Sequence, residues 1–264
     1  MEIKIEKIKT DRIEMQYFRF GKENAQPAAI IPGISLMSVM PYANAIARQY
    51  RDLAFDFNVY VFDKNSDIKK GYSISDMADD TAEVFDILNL KSVNIYGVSL
   101  GGMISQTIAA KRRDLVNSIV LCSTASRLSE NSLKIINEWI KLAKEKNMSE
   151  LMDSFARNIY SEKFYLKNKA VFPEFGKMAT DKDIENFIIL AEAIDSLTDM
   201  TGNIKCPAFV IGAENDKIFS AESSVELAEK LNAEYYIYKE YGHAVYDEAK
   251  DCPQKAGDFF RRFL

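Results

Sequence analysis

Short runs of apolar residues recur along the chain and predict a β-sheet. Residues 3–5 and 15–20 alternate apolar with polar side chains, which predicts two antiparallel edge strands with one solvent-exposed face. Six later runs are apolar at nearly every position, as in parallel strands that are buried on both faces. These runs are residues 28–31, 59–62, 93–96, 119–122, 208–211 and 235–238.

Helical patterns separate most of these runs, at residues 74–90, 99–113, 221–231 and 256–264. Alternation of strands and helices is typical of a doubly wound sheet with right-handed crossovers. The predicted fold class is therefore α/β, with a mostly parallel sheet of eight strands.

One interval breaks this alternation. Residues 127–201 contain helical patterns but no clear strand, and they are too many for a connecting loop. We predict a helical cap there, inserted between strands six and seven of a core domain formed by residues 1–126 and 202–264. Its aromatic residues, Trp139 among them, either pack within the cap or line an apolar pocket beneath it.

The composition narrows the class of partner. Of 264 residues, 47% are hydrophobic and 28% are charged, with a net charge of −5, which disfavours binding to nucleic acid or to anionic lipid. The first ten residues lack the apolar core of a signal peptide, and three scattered cysteines suit a reducing compartment. We therefore expect a cytoplasmic enzyme without a membrane span. A single histidine and no closely spaced cysteine pair argue against a metal site.

The sequence Gly97-Val98-Ser99-Leu100-Gly101-Gly102 lies between a predicted strand and a predicted helix. A serine at such a sharp turn adopts a strained backbone, and side chains two positions to either side would clash. The turn exposes the hydroxyl above the sheet edge. Ser99 is therefore the predicted nucleophile, although a glycine-rich turn without chemical function remains the alternative.

A serine nucleophile needs a base, and imidazole is the side chain best suited to this at neutral pH. The only histidine, His243, follows the last predicted strand. Asp216 follows the preceding strand and is the preferred carboxylate to orient that imidazole, with Glu214 as its rival. The order serine, acid, histidine is the one expected when the nucleophile lies on a central strand.

An oxyanion formed at this serine needs backbone donors. The N–H group of Leu100 begins a helix, and the N–H group of Ile34 follows Gly33 at the end of the first buried strand. Gly33, Met37 and Trp139 are further candidates for substrate contact, although core packing explains the methionine equally well.

Taken together, these segments resemble the α/β-hydrolase superfamily of serine hydrolases with a helical cap, from residue 15 to residue 264. The matching pieces are GVSLGG, CPAFVIGAENDKIFS, YGHAVYDE, FFRRFL and the Gly71-Tyr72-Ser73 segment. Two departures stand out. Pro32 replaces the histidine that usually precedes the oxyanion glycine, and residues 63–70 form a longer, more polar turn than the family's short glycine-rich one.

The resemblance implies hydrolysis of a small, largely apolar acyl compound, with a carboxylic ester as the predicted substrate and with no cofactor or metal. Acyl transfer, carbon–carbon hydrolysis and lyase chemistry at the same site stay open, because one fold hosts many reactions. A non-catalytic ligand receptor or regulator with the same pocket is the alternative outside enzymes.

Overall fold

The computed structural model describes residues 3–264, so the first two residues of the predicted core domain lie outside it. One sheet of eight strands runs through the molecule in the order β1-β2-β4-β3-β5-β6-β7-β8. The strands β3 to β8 are parallel to one another, and β2 runs antiparallel to its neighbours β1 and β4. The predicted fold class is confirmed. The strands are β1 (Ile5–Lys9), β2 (Glu14–Gly21), β3 (Pro27–Ile31), β4 (Asn58–Phe62), β5 (Val93–Val98), β6 (Val116–Cys122), β7 (Ala208–Ala213) and β8 (Glu234–Tyr238).

Two strand predictions are wrong in detail. β2 is not an edge strand, because it pairs with β1 on one side and with β4 on the other. β8, predicted to be buried on both faces, forms the far edge of the sheet and exposes Tyr235 and Tyr236. The ammonium of Lys255, a residue of the last helix, lies 4.1 Å from the ring centre of Tyr236, so a cation covers part of this exposed aromatic strand.

Eleven α-helices connect or flank the strands within the described residues. Five of them, α4 to α8, lie between β6 and β7. The helices are α1 (Ala43–Gln49), α2 (Ile74–Ile87), α3 (Leu100–Lys111), α4 (Glu130–Lys144), α5 (Met148–Ile159), α6 (Glu162–Asn168), α7 (Phe172–Gly176), α8 (Asp181–Ala193), α9 (Ala221–Leu231), α10 (Val245–Glu248) and α11 (Cys252–Arg261).

Side-chain hydrogen bonds fix where several of these helices begin. At the start of α2, the Ser73 hydroxyl accepts from the backbone N–H of Asp76 (3.1 Å), and the Asp76 carboxylate accepts from the backbone N–H of Ser73 (2.9 Å). The same reciprocal arrangement begins α4 at Ser129 and α8 at Thr180. Each cap satisfies donors that a helix leaves free at its first turn.

The sheet separates two hydrophobic cores, because successive side chains of a strand face opposite sides. On β3, Ala29 and Ile31 belong to the core that includes residues of α2, α3, α4, α5 and α8. Ala28 and Ile30 belong to the core on the other face, where α11 packs. Among residues 3–264, none of the helices has the length and apolarity needed to cross a bilayer.

Candidate active site

The turn between β5 and α3 presents Ser99 in a strained conformation. Its φ of +53° and ψ of −118° lie outside the regions favoured by non-glycine residues. The surrounding structure holds this conformation in place: the Ser99 N–H donates to the Cys122 carbonyl (2.9 Å), and the Thr124 hydroxyl donates to the Ser99 carbonyl (2.9 Å). Strain that is supported in this way is a feature of functional sites.

The glycines around Ser99 are required by space. A methyl group built on Gly97 would lie 2.2 Å from the Ser105 hydroxyl oxygen, and one built on Gly101 would lie 1.9 Å from the Ile31 carbonyl oxygen. Both distances are far below van der Waals contact. The turn therefore depends on glycine two positions to either side of the serine, as the sequence pattern predicts.

His243 and Asp216 form a buried pair. The imidazole Nδ1 lies 2.8 Å from the Asp216 Oδ2, and the two side chains are 3% and 0% exposed. The other carboxylate oxygen of Asp216 accepts from the backbone N–H groups of Ile218 (2.8 Å) and Phe219 (2.9 Å). Because a carboxylate only accepts, Nδ1 carries the proton and Nε2 keeps a free lone pair.

The backbone of His243 is held from two sides. The Ser123 hydroxyl donates to the His243 carbonyl (2.6 Å), and the N–H of the following Ala244 donates to the Ile159 carbonyl in α5 (2.6 Å). Sequence reasoning missed Ser123 and Thr124. The signal was present, since both are small polar residues that directly follow β6 at the edge of the sheet where the other site residues lie.

Ser99 and His243 line one narrow cavity of about 20 Å³. No hydrogen bond joins the Ser99 hydroxyl to the imidazole in the described part of the chain, and such bonds in ligand-free sites often tighten only when substrate binds. The cavity wall is otherwise mostly apolar. It comprises Gly33, Ile34, Leu100, Met103, Ile136, Trp139, Phe155, Ile159, Ile194, Ile218, Phe219 and Tyr246.

Both candidate oxyanion donors belong to this cavity. Leu100 is the first residue of α3, so its N–H has no acceptor within the helix. The loop that carries Ile34 lies against Ser99, since a methyl group built on Gly33 would lie 3.2 Å from the Ser99 Cβ. Ile34 and Leu100 therefore reach the same cavity from two different elements, a loop and the start of a helix.

The structure does not bring all three substrate-contact candidates together. Gly33 and Trp139 line the cavity that Ser99 and His243 share, whereas Met37 lines a separate cavity of about 100 Å³ that Lys64 also lines. Met37 lies elsewhere because the chain turns away after Ile34. The indole of Trp139 is 2% exposed, and among residues 3–264 its N–H has no hydrogen-bond acceptor.

A larger cavity of about 230 Å³ adjoins the cavity that contains Ser99 and His243 and shares five lining residues with it. Its wall is mainly apolar and includes Ile30, Val61 and Val98 from the sheet, with Pro32, Val39, Ile46 and Tyr50 from the segments around them. The shared residues are Gly33, Ile34, Phe155, Ile159 and Tyr246. The empty space therefore continues from the surroundings of Ser99 into the larger cavity.

A mostly parallel sheet whose central strand presents a serine at a strand-to-helix turn defines a class of enzymes that work at the carboxyl edge of the sheet. A family model described as the alpha/beta hydrolase fold matches residues 30–250. The chain therefore belongs to the α/β-hydrolase fold family.

Individual relatives are distant but cover most of the chain. A protein named putative carbamate hydrolase RutD from Rhizobium rhizogenes is 26% identical over 217 residues, which is 75% of this chain and 80% of that protein. 3-oxoadipate enol-lactonase 1 from Acinetobacter baylyi is 20% identical, over 75% of this chain and 74% of that protein. Hydrolase activity is the activity that these relatives support.

Solved structures agree on the fold. An alpha/beta hydrolase from a Medee basin deep-sea metagenome library superposes with a TM-score of 0.87 at 22% identity, covering 97% of both chains. The enol-lactonase from Burkholderia xenovorans superposes with a TM-score of 0.83 at 22% identity, over 97% of this chain and all of that one.

Proposed function

We propose that the protein is a serine hydrolase that cleaves a small, largely apolar acyl compound, with a carboxylic ester as the expected substrate. One observation carries the proposal: His243, which is paired with the buried Asp216, lines the same narrow cavity as Ser99. A hydroxyl, an imidazole and a carboxylate in this relation form the machinery of covalent acyl transfer to serine.

The geometry supports the following sequence of steps. The Ser99 oxygen attacks the substrate carbonyl while His243 Nε2 takes the hydroxyl proton, and Asp216 stabilises the imidazolium that forms. The N–H groups of Ile34 and Leu100 hold the negative oxygen of the tetrahedral intermediate. Collapse expels the alcohol, which takes the proton from His243. Water then loses a proton to His243 and attacks the acyl-enzyme, which releases the acid and restores Ser99.

The substrate class follows from the cavity walls. Apart from the catalytic groups, the catalytic cavity is lined almost wholly by apolar side chains, and the adjoining cavity of about 230 Å³ offers space for an acyl or alcohol group. We propose that residues 127–201 act as a cap, because Trp139, Phe155 and Ile159 from this segment close the cavity over the serine. Such a closed apolar site favours small molecules over polymers.

The test is turnover of an activated ester by the Ser99→Ala variant. We expect a loss of at least ~10³-fold, as removal of a triad nucleophile produces. The matched control is Ser149→Ala, which removes a hydroxyl at the start of α5, outside the cavity linings. A loss below tenfold for Ser99→Ala discards the proposal. Product analysis with an added alcohol separates hydrolysis from acyl transfer, because a transferase yields the new ester.

A further inference from the structure

Lys64 makes an unusual contact with the loop that carries the oxyanion donor. It lies just after β4, in the long polar turn that departs from the family pattern, and its ammonium donates a hydrogen bond to the Gly33 carbonyl oxygen. Lys64 lines the separate cavity of about 100 Å³ and not the catalytic one. The lysine therefore contacts the loop from outside the cavity that contains Ser99.

The geometry of one peptide unit links this contact to the reaction. The Gly33 carbonyl and the Ile34 N–H belong to the same peptide group, and no cis peptide bond occurs in residues 3–264. In a planar trans peptide the C=O and N–H bonds point in opposite directions. Because the Gly33 carbonyl points to Lys64, the Ile34 N–H points away from Lys64, and Ile34 itself lines the catalytic cavity.

We propose that Lys64 is a positioning residue that fixes and polarises the Gly33–Ile34 peptide so that the Ile34 N–H donates to the oxyanion. The proposal rests on the serine hydrolase function proposed above. A cation at the carbonyl oxygen draws electron density from the peptide and strengthens its N–H as a donor. The benefit grows as negative charge develops on the substrate, so it stabilises the transition state more than the bound substrate.

The contact of Lys64 with Gly33 also lies next to a residue that departs from the family pattern. Pro32 replaces the histidine that usually precedes this glycine, and proline has no N–H with which to anchor the loop. The contact from Lys64 supplies an anchor from another strand end. The departure at residue 32 and the departure at residues 63–70 thus meet at one loop, because Pro32 directly precedes the glycine whose carbonyl Lys64 contacts.

The charge of Lys64 depends on its surroundings. Burial lowers the pKa of the Lys64 ammonium to about 8, partly opposed by the negative charge of Asp63. Asp63 itself accepts from the backbone N–H of Lys64 (2.9 Å) and from the Ser38 hydroxyl. From the facing helix α8, Asp183 lines the same cavity and accepts from the Thr180 N–H (2.8 Å). The ammonium is therefore charged below pH 8 and loses its charge above it.

The experiment compares ester turnover by the wild type, Lys64→Met and Lys64→Arg from pH 6 to pH 10, with the exposed Lys70→Met as control. For Lys64→Met we expect kcat to fall by about 10²-fold, the effect of losing one oxyanion donor, with KM changed less than about threefold. Lys64→Arg is expected to restore most of kcat. Wild-type kcat should decline as pH rises through about 8, and the arginine variant should keep its activity there, because arginine stays charged.

The outcomes separate the two proposals. If a fluorophosphonate fails to label Ser99 in the wild type, the serine hydrolase function itself is wrong. If labelling occurs but Lys64→Met turns over ester at the wild-type rate, the role of Lys64 is wrong. Should Lys64→Met fail to fold, the arginine variant decides: an alkaline decline identical to that of the wild type shows a merely structural lysine and overturns the inference.

Discussion

Replacing Asp216 by asparagine tests the orientation of the base with little change of shape. In the wild type, one carboxylate oxygen accepts from His243 Nδ1 (2.8 Å), and the other accepts from the Ile218 and Phe219 N–H groups. An asparagine keeps its oxygen toward the two backbone donors and turns its NH₂ group to the imidazole. His243 must then accept at Nδ1 and carry its proton on Nε2, where it cannot take the proton of Ser99.

The size of the effect follows from these contacts. A wrong tautomer of this kind lowers kcat by about 10⁴-fold, which corresponds to about 5.5 kcal/mol of lost transition-state stabilisation. The free energy of unfolding should fall much less, because the backbone donors of Ile218 and Phe219 keep their acceptor. Asp216→Ala removes that acceptor as well, and each buried N–H left without a partner costs about 1–3 kcal/mol.

The assay is kcat for an activated ester at pH 7.5, together with urea unfolding of each variant. Glu214→Gln is the matched control, since Glu214 is an exposed acid two residues away and is the rival carboxylate in the sequence. We expect full activity for Glu214→Gln. If Asp216→Asn keeps more than a tenth of wild-type kcat, or if Glu214→Gln loses as much, the assignment of the acid is refuted.

Two further changes probe the turn and the pocket. Gly101→Ala should lower the free energy of unfolding by about 1–3 kcal/mol, because its methyl group would clash with the Ile31 carbonyl. Gly202→Ala is the control and should leave this free energy unchanged, because the space around Gly202 is open. Equal urea midpoints for the two variants would contradict this prediction. Trp139→Phe should raise KM about 3- to 10-fold for esters with a second acceptor in the acyl group, since the indole N–H has no partner among the described residues. Equal KM changes for simple alkyl esters would assign Trp139 to packing alone.

The parts of the molecule that sequence reasoning captured are those set by local pattern. The two glycines around Ser99 have a steric requirement that reads directly from their spacing, and the strand before and the helix after it formed as expected. His243 and Asp216 were assigned through chain order and the shortage of alternatives. In the structure their side chains form a hydrogen bond although the two residues are 27 positions apart in the sequence.

The features that the sequence does not predict depend on which distant segments of the chain come into contact. The last apolar run, residues 235–238, does not reveal that β8 is the edge strand of the sheet, because edge position is a property of strand order. Met37 follows the oxyanion loop closely in sequence, yet the chain carries it into another cavity. Lys64 reads as one charge in a polar turn, and only the three-dimensional structure shows its ammonium at the Gly33 carbonyl.

The proposed mechanism depends on the activation of the Ser99 hydroxyl by the imidazole of His243, a residue far from Ser99 in the sequence. Incubation with a fluorophosphonate, followed by peptide mass spectrometry, measures it most directly, with the rate of labelling compared between the wild type and His243→Gln. We expect a single adduct on Ser99 and a rate reduced by at least ~10²-fold in the variant, since general-base assistance contributes that much. An adduct on another residue, or equal labelling rates in the two proteins, would contradict the claim.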